Sequence, residues 1–171
     1  MMKSLLKTLF FTGTICCLCG KVQAQQTPQE LGNIMLHAFQ TGSVDSIAGL
    51  QMTYDDVLAF ARETGLDKDT AKLASFKQSY PLMVEKYRSH YQQIIDQGME
   101  QKADWKSILM DKVSTEEEKV NMPGMESITI LSVYFHTKDK KAYHLVSDIY
   151  KRNGKWKLGS NIDLFNDSLE K

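Results

Sequence analysis

The spacing of apolar positions changes once along this chain: from Thr27 to about Gly98 they recur every three or four residues, and from Asp104 to Ile162 they tend to alternate. In the first part, Leu31, Ile34, Met35, Ala38 and Phe39 form one stripe behind Thr27-Pro28-Gln29-Glu30. That opening combines an N-cap threonine, a proline at the first helical position and an acid at the third, and Gly42 stops the run. Val44, Ile47, Ala48 and Leu50 predict a short second helix. Thr53-Tyr54-Asp55-Asp56 caps a third, carrying Val57, Leu58, Phe60 and Ala61 and closed by Gly65. Between Asp67 and Gly98, Leu73, Phe76, Tyr80, Met83, Tyr87, Tyr91, Ile94 and Ile95 keep helical spacing for about nine turns. This predicts one long amphipathic helix, with a kink or break near Ser79 to Pro81, where proline removes a hydrogen bond and crowds the preceding turn.

The alternating part predicts four antiparallel strands. Trp105, Ile108, Met110 and Val113 mark the first, within Asp104 to Ser114, and Glu116-Glu117-Glu118-Lys119 reads as a charged edge and loop running to Met122-Pro123-Gly124. Ile128 to Phe135, Ala142 to Tyr150 and Trp156 to Gly159 mark the others. Asn153-Gly154 is a strong type I′ hairpin signal, because both central residues of that turn need positive φ. It pairs Lys151 with Trp156, Ile149 with Leu158, Ser147 with Ser160 and Leu145 with Ile162. A two-residue loop at Asp139-Lys140 would pair Tyr134 with Leu145, Ser132 with Ser147 and Ile130 with Ile149. Together these registers align Ser132, Ser147 and Ser160 in one row. The expected class is α+β: helices over 27–100, one of them long, packed on a curved four-stranded antiparallel sheet over 104–165, in a single domain.

The first 24 residues alter the composition. Lys3 and Lys7, the mostly apolar run Leu9 to Leu18, and Val22-Gln23-Ala24 read as a signal peptide cleaved after Ala24, which places residues 25–171 in the periplasm or outside the cell. The apolar run is too short for a membrane span. Cys16, Cys17 and Cys19 all fall within this leader, and neither Cys17 nor Cys19 is preceded by the leucine and small residues of a lipidation site. A soluble exported form is therefore expected. Removing three lysines leaves 18 basic and 21 acidic residues, a net charge of −3. With no basic stripe and interleaved aromatics, nucleic acid is excluded as a partner.

The candidate chemistry is sparse. His136 and His144 flank one turn, and a three-residue loop would set them opposite each other, close enough to share a metal, whereas a two-residue loop puts them on opposite faces; no cysteine, and no acid in a ligand-like spacing, accompanies them, so neither metal nor cofactor is expected. No nucleophile elbow, phosphate-binding glycine loop or zinc spacing occurs, and no catalytic residue is assigned. Asp148 stands in a strand interior, where it reads either as an outward aspartate paired with a lysine or as a buried general base. Tyr80, Met83 and Tyr87 share a helix stripe. They read either as core or as one wall of a cavity whose floor is Ser132, Ser147 and Ser160 and whose rim includes Tyr134 and Trp156.

The opening Thr27-Pro28-x-Glu30 with its Gly42 stop, and above all Tyr150-Lys151-Arg152-Asn153-Gly154-Lys155-Trp156-Lys157-Leu158-Gly159, resemble the nuclear transport factor 2-like (cystatin-like α+β) superfamily, specifically its small exported bacterial members of unknown function. The resemblance implies a cone-shaped α+β fold with a cavity at its open end, and dimers through the outer sheet face. Apolar Val133, Phe135, Val146 and Tyr150, expected on that face, agree with a homodimer. Some relatives are isomerases, dehydratases or cyclases using an aspartate with a histidine or tyrosine, a pair this chain lacks at the expected positions. The leading expectation is an exported non-enzymatic module binding a small apolar molecule or an envelope protein; the alternative is a small cavity enzyme performing proton transfer.

Overall fold

A computed structural model describes residues 27–122 and 125–169. The expected leader, its cysteines and Pro123-Gly124 of the expected loop lie outside them. The described chain is α+β. Helices α1 (Pro28–Thr41), α2 (Val44–Ala48), α3 (Tyr54–Glu63) and α4 (Thr70–Glu100) precede strands β1 (Leu109–Met122), β2 (Met125–His136), β3 (Ala142–Arg152) and β4 (Lys155–Asn166). The strands form an antiparallel meander in the order β1-β2-β3-β4.

The caps act as the sequence predicts. Thr27 Oγ1 accepts the Glu30 N–H at 3.1 Å while the Glu30 carboxylate accepts the Thr27 N–H at 3.1 Å, and Gly42 ends α1 at φ 65°. Thr53 and Asp56 repeat the box at α3. Helix α4, by contrast, runs unbroken through Pro81. Proline deprives the Lys77 carbonyl of its donor, but Pro81 and Lys77 are both exposed, so water can serve that carbonyl.

Two registers depart from expectation, each through turn or bulge chemistry. The β3–β4 hairpin closes on Asn153 (φ 51°) and Gly154 (φ 76°) and pairs as predicted as far as Ile149 with Leu158. Beyond that, Ser147 pairs with Ile162 and Leu145 with Leu164, because β4 bulges over residues 159–161 opposite Asp148. Between β2 and β3 the loop has three residues, Lys138 to Lys140, with Lys140 left-handed at φ 62° and the Thr137 N–H donating to the Lys141 carbonyl at 3.0 Å. Val133 therefore faces Leu145, Leu131 faces Ser147 and Tyr134 faces His144. A one-residue slip exchanges the two faces of a strand. Leu131, Val133 and Phe135 are buried inward, and Ile130, Ser132 and Tyr134 take the outer side.

Two further corrections concern β1. Trp105 belongs to a short 3-10 turn, Trp105–Ser107, and the strand begins at Leu109. Glu116 to Lys119 is strand, paired with Ile130 to Ser127, and exposed; charge on this edge discourages further strand addition.

The core lies between the inner sheet face, α1 and the C-terminal half of α4. Leu31, Met35, Phe39, Tyr91, Leu131, Val133, Phe135, Leu145 and Ile149 are all fully buried or nearly so. Trp105 stacks on Phe39 at 5.2 Å between ring centroids and donates Nε1–H to the Ile95 carbonyl at 3.0 Å. Its indole occupies the space a Cβ on Gly98 would need, which is why a glycine stands there.

Candidate functional site

The bulge in β4 organises the second region of interest. Irregular pairing frees backbone carbonyls, and buried carbonyls need donors. Three side chains from three elements supply them. Gln51, which leads out of α2 and bridges Leu158 in parallel, donates to the Gly159 carbonyl at 2.9 Å; Ser147 of β3 donates to the Asn161 carbonyl at 2.7 Å; His90 of α4 meets the Ile162 carbonyl at 2.8 Å. Since a carbonyl can only accept, His90 Nε2 carries the proton of that bond. Gln51 also bonds the Tyr91 hydroxyl.

Two clefts open along the bulge, and Met83 and Tyr87 line both. The first, of about 230 Å³, is aromatic: Phe60, Phe76, Tyr80, Met83 and Tyr87 surround it with Met52, Val57, Gln51 and Gly159. The second, of about 390 Å³, is polar: Lys86, Ser89, His90 and Gln93 of α4 face Asn161 of β4. A third hollow, of about 430 Å³, continues from Phe60 and Phe76 between α3 and the start of α4. The aromatic cleft alone falls just below the roughly 300–1,000 Å³ of ordinary ligand pockets. It neighbours the polar cleft, with which it shares Met83 and Tyr87.

Its walls are held by local chemistry. Tyr80 donates its hydroxyl to the Met52 carbonyl at 3.2 Å, and Tyr54 stacks on Phe76 at 5.8 Å while meeting Tyr80 edge-on at 5.6 Å. The Tyr87 hydroxyl has no hydrogen-bond partner among the described residues. Burial raises the pKa of Tyr80, with nearby carboxylates such as Asp56 adding to it; burial raises that of Tyr87, with the Asp148 carboxylate adding to it. Tyr91 is raised by burial, then by Tyr87 and Asp148. Tyr150 is pushed up to about 12 by burial and then by Asp148. These phenols stay protonated near neutrality; Tyr80 donates its hydroxyl, while that of Tyr91 accepts from Gln51. The Asp148 carboxylate occupies the space a Cβ on Gly159 would need, so Gly159 touches that carboxylate and also lines the aromatic cleft.

Of the eight residues the sequence nominates for a cavity, Tyr80, Met83 and Tyr87 meet in the aromatic cleft. Of the other five, Ser132, Tyr134, Ser147 and Trp156 do not join them. Ser132 and Tyr134 lie on the outer sheet face because of the β2–β3 slip. Ser147 is inward and buried, but its hydroxyl is used on the bulge. Trp156 packs against the core without lining the cleft. The Ser160 backbone belongs to β4, and its side chain lies outside the described residues. The serine row does not form, because the slip and the bulge displace its members separately. Gln51, Met52, Val57, Phe60, Phe76 and Gly159 are the members that sequence reasoning missed. A glycine within a strand, followed by Ser160 and Asn161, was the available signal of a bulge.

The outer face is also reassigned. Val133 and Phe135, expected there, are buried inward. In their place Tyr134, His144 and Phe165 stack across three strands at 5.0 and 4.8 Å, with the Lys112 ammonium 4.4 Å from the Tyr134 ring. His144 Nδ1 pairs with Asp167 at 2.7 Å and His136 Nδ1 with Asp111 at 2.6 Å. Among the described residues no group of three or more His, Cys, Asp or Glu could hold a metal, and no helix is long and apolar enough to cross a membrane. In comparisons with known proteins, no family model, curated protein or solved structure matches the chain.

Proposed function

We propose that this chain is an exported, non-enzymatic binding module that takes a small, largely apolar molecule in the aromatic cleft between α3, α4 and the β4 bulge. One observation carries the reading. Phe60, Phe76, Tyr80, Met83 and Tyr87 converge on a hollow that the fold does not fill, while Tyr91, Ile94 and Ile95 of the same helix are buried in the core. Its lining offers the Tyr87 hydroxyl beside apolar surface, the Tyr80 hydroxyl and the Gln51 amide hydrogens being engaged within the fold, which is chemistry suited to holding and orienting a molecule.

Native mass spectrometry of protein purified gently from its own envelope tests this. The reading expects a species carrying one small molecule that the cleft-filling variant Met83→Trp does not carry. A molecule carried equally by Met83→Trp contradicts it, and a ligand-free wild type shifts the weight to a protein partner.

Proton transfer is a second reading, favoured by the position of Asp148 against Gly159 and by its field on Tyr87, Tyr91 and Tyr150. Asp148→Asn separates the two. It leaves ligand affinity unchanged if the cleft only binds, and abolishes turnover if the carboxylate is a base.

A further inference from the structure

The polar cleft contains one feature that the proposed binding of an apolar molecule does not use. Lys86 lines it, and its helical neighbours at three and four residues are Leu82, Met83, Ser89 and His90. None is acidic, so α4 itself provides no partner for the ammonium. The nearby acid Glu85 is engaged by Arg88, which also reaches Asp45. Across the cleft β4 presents Asn161, a neutral amide. Lys86 has no carboxylate partner among the described residues. The lining thus gathers an ammonium, the Ser89 hydroxyl and the Gln93 and Asn161 amides, while His90 is turned to the Ile162 carbonyl. It is rich in donors and carries one positive charge, and no acid lines it, the nearest carboxylate felt there being that of Asp148 behind Tyr87. It adjoins the aromatic cleft through the shared Met83 and Tyr87.

We infer that the two clefts together recognise an amphipathic carboxylate: an apolar, preferably flat body between Phe60, Phe76 and Tyr80, and a carboxylate against Lys86 and the neighbouring amides. This rests on the binding reading above and sharpens it to a ligand class. A monoanion suits the charge count, since one lysine neutralises one carboxylate and the amides can donate to its remaining lone pairs. The position of Lys86 in mid-helix also argues for a carboxylate over a phosphate, which is served best by arginine forks or by the free N–H groups of a helix start.

The test compares 2-naphthoate with its neutral isostere 2-naphthamide by titration calorimetry, at low salt, on wild-type protein and on Lys86→Gln. Lys86 is exposed, so this substitution leaves folding within the range of ordinary surface changes. The expected result is naphthoate binding about tenfold tighter than naphthamide to wild type, with the preference lost in Lys86→Gln and naphthamide affinity unchanged. Equal binding of the two compounds to wild type, or a naphthoate preference that survives Lys86→Gln, overturns the carboxylate inference and leaves the apolar cleft standing. If neither compound binds, both readings fall.

Discussion

The two halves of α4 have the same helical geometry and nearly the same density of large apolar residues, yet they meet different partners. Towards the C-terminus, Tyr91, Ile94, Ile95 and Gly98 are buried against the inner sheet face and Trp105, and a cleft of about 330 Å³ opens only at the end of the helix, beside Ile95, Met99 and Trp105. Towards the N-terminus, Leu73, Phe76, Tyr80, Met83 and Tyr87 are only half-buried, and clefts open beneath them. The difference comes from what lies opposite. The C-terminal half rests on a regular sheet whose inward side chains alternate, whereas the N-terminal half passes the bulged β4 edge and a ten-residue helix, α3, with Ala61 as its only buried apolar residue. Helical periodicity specifies a stripe. Whether that stripe becomes core or pocket is decided by the surface that receives it.

Substitutions should separate the halves. The largest effect is expected for Trp105→Ala, which removes the indole from Phe39, Gly98 and the Ile95 carbonyl and should cost about 3–5 kcal/mol in denaturant unfolding. A loss below about 1 kcal/mol would mean that the C-terminal half is not the tight one. Gly159→Ala should cost about 1–3 kcal/mol by pushing a methyl into the Asp148 carboxylate. Much of this should return in Gly159→Ala/Asp148→Ala, and a strictly additive double mutant would disprove the contact.

An alkaline titration addresses the same bulge. Tyr150 titrates near 12 in the folded protein and near 10 when unfolded, so between those values the unfolded chain loses the proton first. Its contribution to stability is complete below about pH 10 and is lost as pH rises towards about 12. Tyr150→Phe should flatten the decline, read from unfolding midpoints across that range. In the open half, Met83→Ala should cost only about 1 kcal/mol or less, since a half-buried side chain gives up less surface than a core one. Leu82→Gln, at 73% exposure, should stay within about 0.5 kcal/mol.

How much of this was legible in the sequence depended on range. The capping boxes at Thr27 and Thr53, the Gly42 stop and the Asn153-Gly154 turn are local, and each sits where the residues say. Tyr80, Met83 and Tyr87 were legible as one wall of a site because helical spacing fixes which side chains share a face. The opposite wall was not. A three-residue loop that holds Lys140 in a left-handed conformation, an unusual place for lysine, turned Ser132 and Tyr134 away from it, and an extra pair of residues in β4 brought Gly159 into it. Each is a small backbone choice that reassigns every side chain beyond it. The strength of Leu131, Val133 and Phe135 as an apolar triplet, against Ile130, Ser132 and Tyr134, was the cue for the correct β2 face.

The central claim is that the space under Tyr80, Met83 and Tyr87 is a binding cleft rather than loosely packed core. The most direct measurement is a titration of methyl-¹³C-methionine protein with indole, followed by methyl NMR. Met52 and Met83 line the cleft, and Met35 of α1 is fully buried in the core. Saturable shifts at Met52 and Met83 with Met35 unmoved are the predicted result. No shift at Met52 and Met83, or equal shifts at all three, would contradict the account.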